Sequence, residues 1–251
     1  MHAHRLVIIF LLSLVANAGT AAADDTAMAA RIEAQLQAPG RDKYDAAKDP
    51  GRKPVAVAEF FGVRDGMTVL DMITGAGYSA EILSAAVGPD GIVYAQNSHF
   101  VTRLIDGAHH KAMLGRLDGD RLPNVRYIVV DVEDMPFDNE IDMAFWGTNM
   151  HDIYHRDGEA ATLAFLAHVK RAMKPGAVLA FSDHLGNPGN DNEALHRIER
   201  GTMIDLLKQA GFIIEATSDL LANPDDDRTR AVFDDGLRYH TDRLLIRARK
   251  P

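Results

Sequence analysis

The chain has 251 residues, with 36 acidic and 27 basic side chains and a formal net charge of −9 at pH 7. Hydrophobic residues make up 47% of it, a composition that suits one globular domain with a substantial core. The acidic balance argues against nucleic acid as a partner, because a negative surface repels phosphate backbones. No cysteine is present, which excludes disulfides and thiolate metal sites.

The first 23 residues have the pattern of a cleavable secretory signal. A basic start is followed by an apolar stretch over residues 6–15 and by Ala-x-Ala sites at 16–18 and 21–23. The apolar stretch is short for a membrane span, although an uncleaved anchor is the alternative. We therefore expect residues 1–23 to be a signal peptide and the mature protein to be periplasmic or secreted, with no stable membrane span after cleavage.

The next segments predict an N-terminal helix and arm before the main domain. Helical periodicity covers residues 24–37, and residues 41–53 are polar, which favours a loop or arm that could close over a site as a lid. A short apolar helix is predicted at 55–61. We expect 24–54 to form this appendage and 55–251 to form a single domain.

From residue 67 onward, apolar β-branched runs alternate with helical runs. This alternation predicts a parallel sheet covered by helices on both faces. The last two strand-like runs have no long helical pattern between them, which indicates an antiparallel pair. The predicted strands are 68–73, 92–96, 125–130, 141–146, 177–182, 212–218 and 241–249, and the predicted helices between them are 79–87, 100–117, 158–173 and 192–210.

A glycine-containing turn follows the first of these strands. The strand ends at an acidic residue, and two glycines precede the next helix. Glycine lets the backbone approach a ligand without a Cβ clash, and the helix N-terminus presents free N–H groups to it. The residues predicted to contact a ligand here are Asp71, Thr74, Gly75, Ala76, Gly77 and Tyr78.

This turn resembles the Asp/Glu-x-Gly-x-Gly-x-Gly motif of class I S-adenosylmethionine-dependent methyltransferases, with Ile73 at the position of the first glycine. Three later segments fit the same family in order: Asp131 to Phe137, Lys174-Pro175-Gly176, and Gly211-Phe212. The resemblance covers about residues 55–250. It implies a Rossmann-like α/β fold, with a mainly parallel seven-stranded sheet, a C-terminal antiparallel pair, helices on both faces and S-adenosyl-L-methionine as cofactor.

The resemblance also implies further cofactor contacts. Asp131 matches the acid that accepts a hydrogen bond from the adenine amino group, and Val132 follows it. Where the family usually has an acid for the ribose hydroxyls, this chain has Asn97, which can accept through one carbonyl. The departures at Ile73 and Asn97 leave open a non-catalytic, small-ligand-binding protein on the same scaffold.

Polar residues after the fourth and fifth strands are the catalytic candidates. The Asn149-Met150-His151-Asp152 segment resembles that of exported methyltransferases. Methyl transfer needs alignment and, for O or N acceptors, a base, so we expect His151 to act as base, Asp152 to orient it and Asn149 to hold the nucleophile. Asp183 and His184 end the next strand and could join them.

Three interpretations of this rim stay open. The first is methyl transfer to a small molecule or an envelope component, and it is the function that we predict. The second is a metal-assisted hydrolase or lyase that uses His151, Asp152, Asp183 and His184, although no metal ligand is assigned. The third is a structural role in capping the sheet. Arg197 and Arg200 are expected on the solvated face of the helix predicted at 192–210.

Overall fold

The computed structural model describes residues 24–251, and the predicted signal peptide lies outside the described residues. The helices are α1 (residues 24–36), α2 (Lys43–Ala46), α3 (Asp49–Arg52), α4 (Pro54–Phe61), α5 (Tyr78–Val87), α6 (Ala108–Leu117), α7 (Met150–Ala172) and α8 (Arg200–Gln209). The strands are β1 (Thr68–Met72), β2 (Ile92–Asn97), β3 (Val125–Val129), β4 (Ile141–Gly147), β5 (Met173–Gly186), β6 (Ile198–Glu199), β7 (Ile213–Ser218) and β8 (Arg243–Arg249).

The strands form one mixed sheet in the order β3-β2-β1-β4-β5-β8-β7. The first five strands pair in parallel, and β8 runs antiparallel to both β5 and β7. This confirms the predicted α/β sheet with a C-terminal antiparallel pair. The seven strands of this order match the predicted count, and the two-residue β6 lies off this path, where it pairs in parallel with the end of β5.

Alternating side chains along the strands pack into two separate apolar clusters. In β1, Leu70 and Met72 join the cluster that contains α7 and α8, whereas Val69 joins the one that contains α1, α4 and α5. Residues that alternate along a strand point to opposite faces of the sheet. Helices therefore cover both faces, as the apolar strand sequences predict.

Strand β1 lies between β2 and β4, so the chain reverses its direction of travel across the sheet at this position. In open α/β sheets a crevice forms outside the carboxyl ends of the strands at such a switch point. The turn after β1 and the loop after β4 therefore face the same crevice. Helix α7 also starts earlier than the predicted residue 158, with a kink at Gly158 where φ is +87°, and this places His151 and Asp152 in its first turn.

The N-terminal arm is not the loop that its polar sequence predicts. It folds into α2 and α3, and buried Asp45 of α2 pairs with buried Arg116 of α6 at 2.5 Å. Arg31 of α1 donates to the carbonyl oxygen of Ala85 at 2.9 Å, which fixes α1 against α5.

Among residues 24–251, no helix combines the length and apolarity needed to cross a bilayer.

Candidate active site

A cleft of about 970 Å³ opens at the carboxyl edge of the sheet. Its walls include residues 73–76 after β1, Asp131 and Val132 after β3, and the loop after β4. The predicted site residues that line it are Asp71, Thr74, Gly75, Ala76, Tyr78, Asp131, Val132, Asn149 and Asp152; those that do not are Gly77, Asn97, His151, Asp183 and His184.

The turn after β1 keeps a left-handed backbone at the position where the family has its first glycine. Ile73 has φ +51°, which costs a β-branched residue about 1–3 kcal/mol. Its N–H donates to Gln96 Oε1 at 3.0 Å, and its side chain packs against the core. The surrounding contacts therefore hold Ile73 in the conformation that glycine adopts at lower cost.

Asn97 supports this turn from below and does not face the cleft. The side chain is fully buried, accepts from the N–H of Gly75 at 2.9 Å and donates to the carbonyl oxygen of Gly75 at 2.9 Å. Its amide nitrogen also lies 3.2 Å from Tyr127 Oη. The amide is therefore occupied in shaping the turn, and the polar residues at the end of β2 that line the cleft are Gln96 and Ser98.

Asp71 is a buried carboxyl group beneath the same turn. It accepts from Thr74 Oγ1 at 2.5 Å. Burial raises the pKa of Asp71 to about 7, although the Thr74 hydroxyl and the charge of Arg52 act in the opposite direction. A cationic ligand group at this end of the cleft would favour the ionised form.

Four side chains form a continuous chain of contacts at the start of α7. His151 Nδ1 lies 2.7 Å from Asp183 Oδ1, and His151 Nε2 lies 3.3 Å from Asp152 Oδ1. The same Asp152 oxygen lies 2.9 Å from His196 Nδ1. His151 and Asp183 are buried, whereas the Asp152 side chain is 44% exposed and lines the cleft.

The predicted role of His151 as general base does not fit this arrangement. Burial disfavours its charge, but the charge of Asp183 and the hydrogen bonds to Asp152 and Asp183 outweigh burial and raise the pKa of His151 to about 10. At neutral pH the ring is then an imidazolium with both nitrogens engaged. Asp152 stays ionised because hydrogen bonds and charges of His151 and His196 lower its pKa against the effect of burial.

This ion pair predicts a pH-dependent stability. A pKa raised from 6.5 to about 10 stabilises the fold fully below pH 6.5, and the contribution is lost as pH rises through about 10. Asp183→Asn leaves a buried cation without its partner, so it should cost about 3–5 kcal/mol below pH 6.5 and less above about pH 10. Urea unfolding across this range measures the difference.

The exposed carboxylate Asp219 provides the control for that measurement, and Asp219→Asn should leave the profile unchanged. NMR titration of the His151 ring reports the cause directly. A His151 midpoint near 6.5 in the unaltered protein would contradict the assignment of the ion pair.

The histidine–carboxylate cluster differs from the predicted metal-binding set. Ligand atoms of His151, Asp152 and His196 all lie within 4.8 Å of one another. His184 instead bonds through Nδ1 to Thr241 Oγ1 at 2.7 Å, and Asp183 faces the other nitrogen of His151. The sequence did not predict that His196 joins this cluster. Its segment has the periodicity of a helix, but in the structure it forms a turn with φ +54° at His196.

The fold is that of solved S-adenosylmethionine-dependent methyltransferase structures. A methyltransferase structure from Aquifex aeolicus has a TM-score of 0.60 at 23% identity, over 82% of this chain and 96% of that chain. The [4+2]-cyclase SpnF has a TM-score of 0.59 at 20% identity, over 80% of both chains. Phosphoethanolamine N-methyltransferase 2 of Haemonchus contortus, in complex with S-adenosyl-L-methionine, has a TM-score of 0.55 at 18% identity, over 80% of this chain and 52% of that one.

Sequence comparison finds relatives that are named as methyltransferases. The ubiquinone/menaquinone biosynthesis C-methyltransferase UbiE of Pseudomonas putida is 31% identical over 131 residues, which are 49% of this chain and 45% of that protein. UbiE of Ectopseudomonas mendocina is 27% identical over 201 residues, 72% of this chain and 70% of that protein. The chain thus spans about half the length of the first of these relatives, and no protein-family model matches it.

Proposed function

We propose that this protein transfers a methyl group from S-adenosyl-L-methionine to a small-molecule or envelope acceptor. One observation carries the proposal: a single cleft runs from the glycine turn and Asp131 to Asn149 and Asp152. The turn also leaves room for a ligand. A Cβ added at Gly75 would meet no atom within 4 Å, so the turn leaves open space where a ligand can approach the backbone.

Asp131 and Val132 would hold the adenine, and residues 73–76 would hold the rest of the cofactor. When bound, S-adenosylmethionine supplies an electrophilic methyl group on its sulfonium sulfur. Asn149 lines the cleft, and its side chain makes no hydrogen bond within residues 24–251, so its amide is available to orient an acceptor.

Asp152 is an ionised group next to Asn149 on the wall of the same cleft. Its carboxylate can accept a hydrogen bond from an acceptor O–H or N–H and take up the proton that methylation releases. The His151 imidazolium and His196 hold this carboxylate in place. In this arrangement His151 acts as a positioning residue and Asp152 replaces it as the candidate base.

A second candidate function is ligand binding without catalysis on the same fold. The burial of Asn97 favours it, because no acid stands at the end of β2 for a ribose. Methyl transfer requires both binding and turnover, whereas this alternative requires binding alone.

Calorimetry of the purified protein with S-adenosylhomocysteine tests the cofactor assignment. We expect binding, and Asp131→Ala should weaken it about tenfold or more, because a hydrogen bond to a charged group contributes about 1.5–3 kcal/mol. The exposed neighbour Asp134 does not line the cleft, so Asp134→Ala is the matched control. The absence of binding at millimolar ligand would refute methyl transfer.

Export is a separate proposal, supported by the sequence pattern of residues 1–23. N-terminal sequencing of protein recovered from the periplasm should give a start near Asp24. Recovery of the uncleaved chain from the cytosol alone would contradict it.

A further inference from the structure

Arg52 of α3 faces the cleft without a counter-ion. Its guanidinium makes no hydrogen bond or ion pair within residues 24–251, and its close partner is the ring of Tyr78, whose centroid lies 4.2 Å away. Burial lowers the pKa of Arg52, against the attraction of nearby acidic groups. Arg52 lines both the cleft and a second, adjoining pocket. A partly desolvated cation in this position is a ready partner for an anion.

The carboxylates whose charge acts on Arg52 are each bound elsewhere. Three of them lie near this guanidinium. Each accepts a hydrogen bond or ion pair from another described residue, so none is a dedicated partner of Arg52. The pairs are Asp45 with Arg116 and Lys48, Asp49 with Arg41 and Tyr78, and Asp71 with Thr74.

Arg243 of β8 is a second cation that lines the adjoining pocket. It is buried, and its Nη2 donates to the carbonyl oxygen of Gly51 at 2.6 Å, whereas Nη1 makes no hydrogen bond within the described part of the chain. The neighbouring carboxylate of Asp242 is bound to Arg228 at 2.6 Å. Burial and then the charge of Arg52 lower the pKa of Arg243 to about 10, so the two cations act on each other.

The adjoining pocket has a volume of about 90 Å³ and mostly apolar walls. Phe61, Leu83 and Leu245 line it, and Thr148 lines both this pocket and the cleft. Residues 73–76 of the glycine turn do not line it. The pocket therefore adjoins the loop after β4, where the acceptor would bind. Tyr78, the residue after the glycine turn, lines both the pocket and the cleft, so the pocket also borders the cofactor end of the cleft.

We propose that Arg52 and Arg243 bind a carboxylate or phosphate group of the methyl acceptor, whose apolar part enters this pocket. The identification of this ligand as the methyl acceptor rests on the proposed methyl transfer. An anion between the two guanidinium groups neutralises their repulsion and receives charge-assisted hydrogen bonds. The amino-acid carboxylate of the cofactor is the other possible source of such a group.

Benzoate and benzyl alcohol are matched probes, because both carry a phenyl ring and benzoate alone carries the charge. With S-adenosylhomocysteine present, ligand-detected NMR should show that benzoate binds. Benzyl alcohol should bind at least about tenfold more weakly than benzoate. Arg52→Gln should weaken benzoate about tenfold, and Arg52→Lys should restore part of the affinity. Because the Arg52 guanidinium makes no hydrogen bond or ion pair within residues 24–251, Arg52→Gln loses its contact with the Tyr78 ring and should keep most of its thermal stability. Exposed Arg126 on β3 provides the control, and Arg126→Gln should bind benzoate normally.

Unchanged benzoate binding in a folded Arg52→Gln protein would overturn the proposal. So would an Arg52→Gln variant that loses affinity for S-adenosylhomocysteine alone, since that result assigns the arginine to the cofactor carboxylate. Arg52-dependent benzoate binding in a protein that does not bind S-adenosylhomocysteine would support the anion site and refute the proposed methyl transfer.

Discussion

Replacing Arg197 with methionine should lower the free energy of unfolding by about 3–5 kcal/mol. Arg197 is fully buried and binds both carboxylate oxygens of Asp226 at 3.0 Å. It also donates to the carbonyl oxygens of Leu185 at 2.9 Å and Arg230 at 3.0 Å. Methionine fills similar space but leaves the buried Asp226 carboxylate without its cation, and that uncompensated charge is the main cost.

Arg200 provides a matched control three residues along the chain. It pairs with Asp219 at 3.0 Å, but the two side chains are 50% and 76% exposed. Solvent screens such a pair, so Arg200→Met should change stability by about 1 kcal/mol or less in urea unfolding. Equal losses in the two variants would contradict the argument from burial. The double variant Arg197→Met/Asp226→Leu should recover much of the loss, because neither charge then remains buried.

The position of Arg197 shows where sequence patterns stop being informative. The periodicity of residues 192–210 predicts one helix with Arg197 on its solvated face, but only Arg200–Gln209 is helical, and the segment before it forms a turn and β6. Arg197 is buried because Asp226, 29 residues further along the chain, accepts from it. The periodicity of a short segment cannot predict a partner that lies 29 residues away in the sequence.

The same reason separates the parts of the site that could be predicted from those that could not. The turn after β1 is local, since strand, turn and helix follow one another, and its place at the cleft was predictable from the order of elements. The burial of Asn97 depends on its contact with Gly75, 22 residues earlier. The pairing of Arg243 with the arm depends on Gly51, 192 residues earlier. Such contacts between remote segments decide which polar residues face the cleft.

Valine at the two glycines of the turn should have different main effects, on stability at Gly77 and on cofactor binding at Gly75. Gly77 has φ +86°, and a Cβ there would overlap the sulfur of Met113 and lie 3.1 Å from Arg116 Cδ. Left-handed backbone costs a residue with a Cβ about 1–2 kcal/mol, and overpacking costs about 1–3 kcal/mol. Gly77→Val should therefore lose about 2–5 kcal/mol of unfolding free energy, because Met113 is fully buried and Arg116 is held by its pair with Asp45.

Gly75 also has a left-handed backbone, with φ +59°, but an added Cβ would meet no atom within 4 Å and would project into open space at the cleft. Gly75→Val should thus carry only the backbone cost of about 1–2 kcal/mol. Its main effect should be on binding, with a loss of affinity for S-adenosylhomocysteine of about tenfold or more, since the valine occupies space that the cofactor needs. Urea unfolding and calorimetry on both variants separate the two effects. Wild-type affinity in Gly75→Val would mean that the cofactor binds elsewhere, because a side chain at this position cannot avoid a ligand held by residues 73–76.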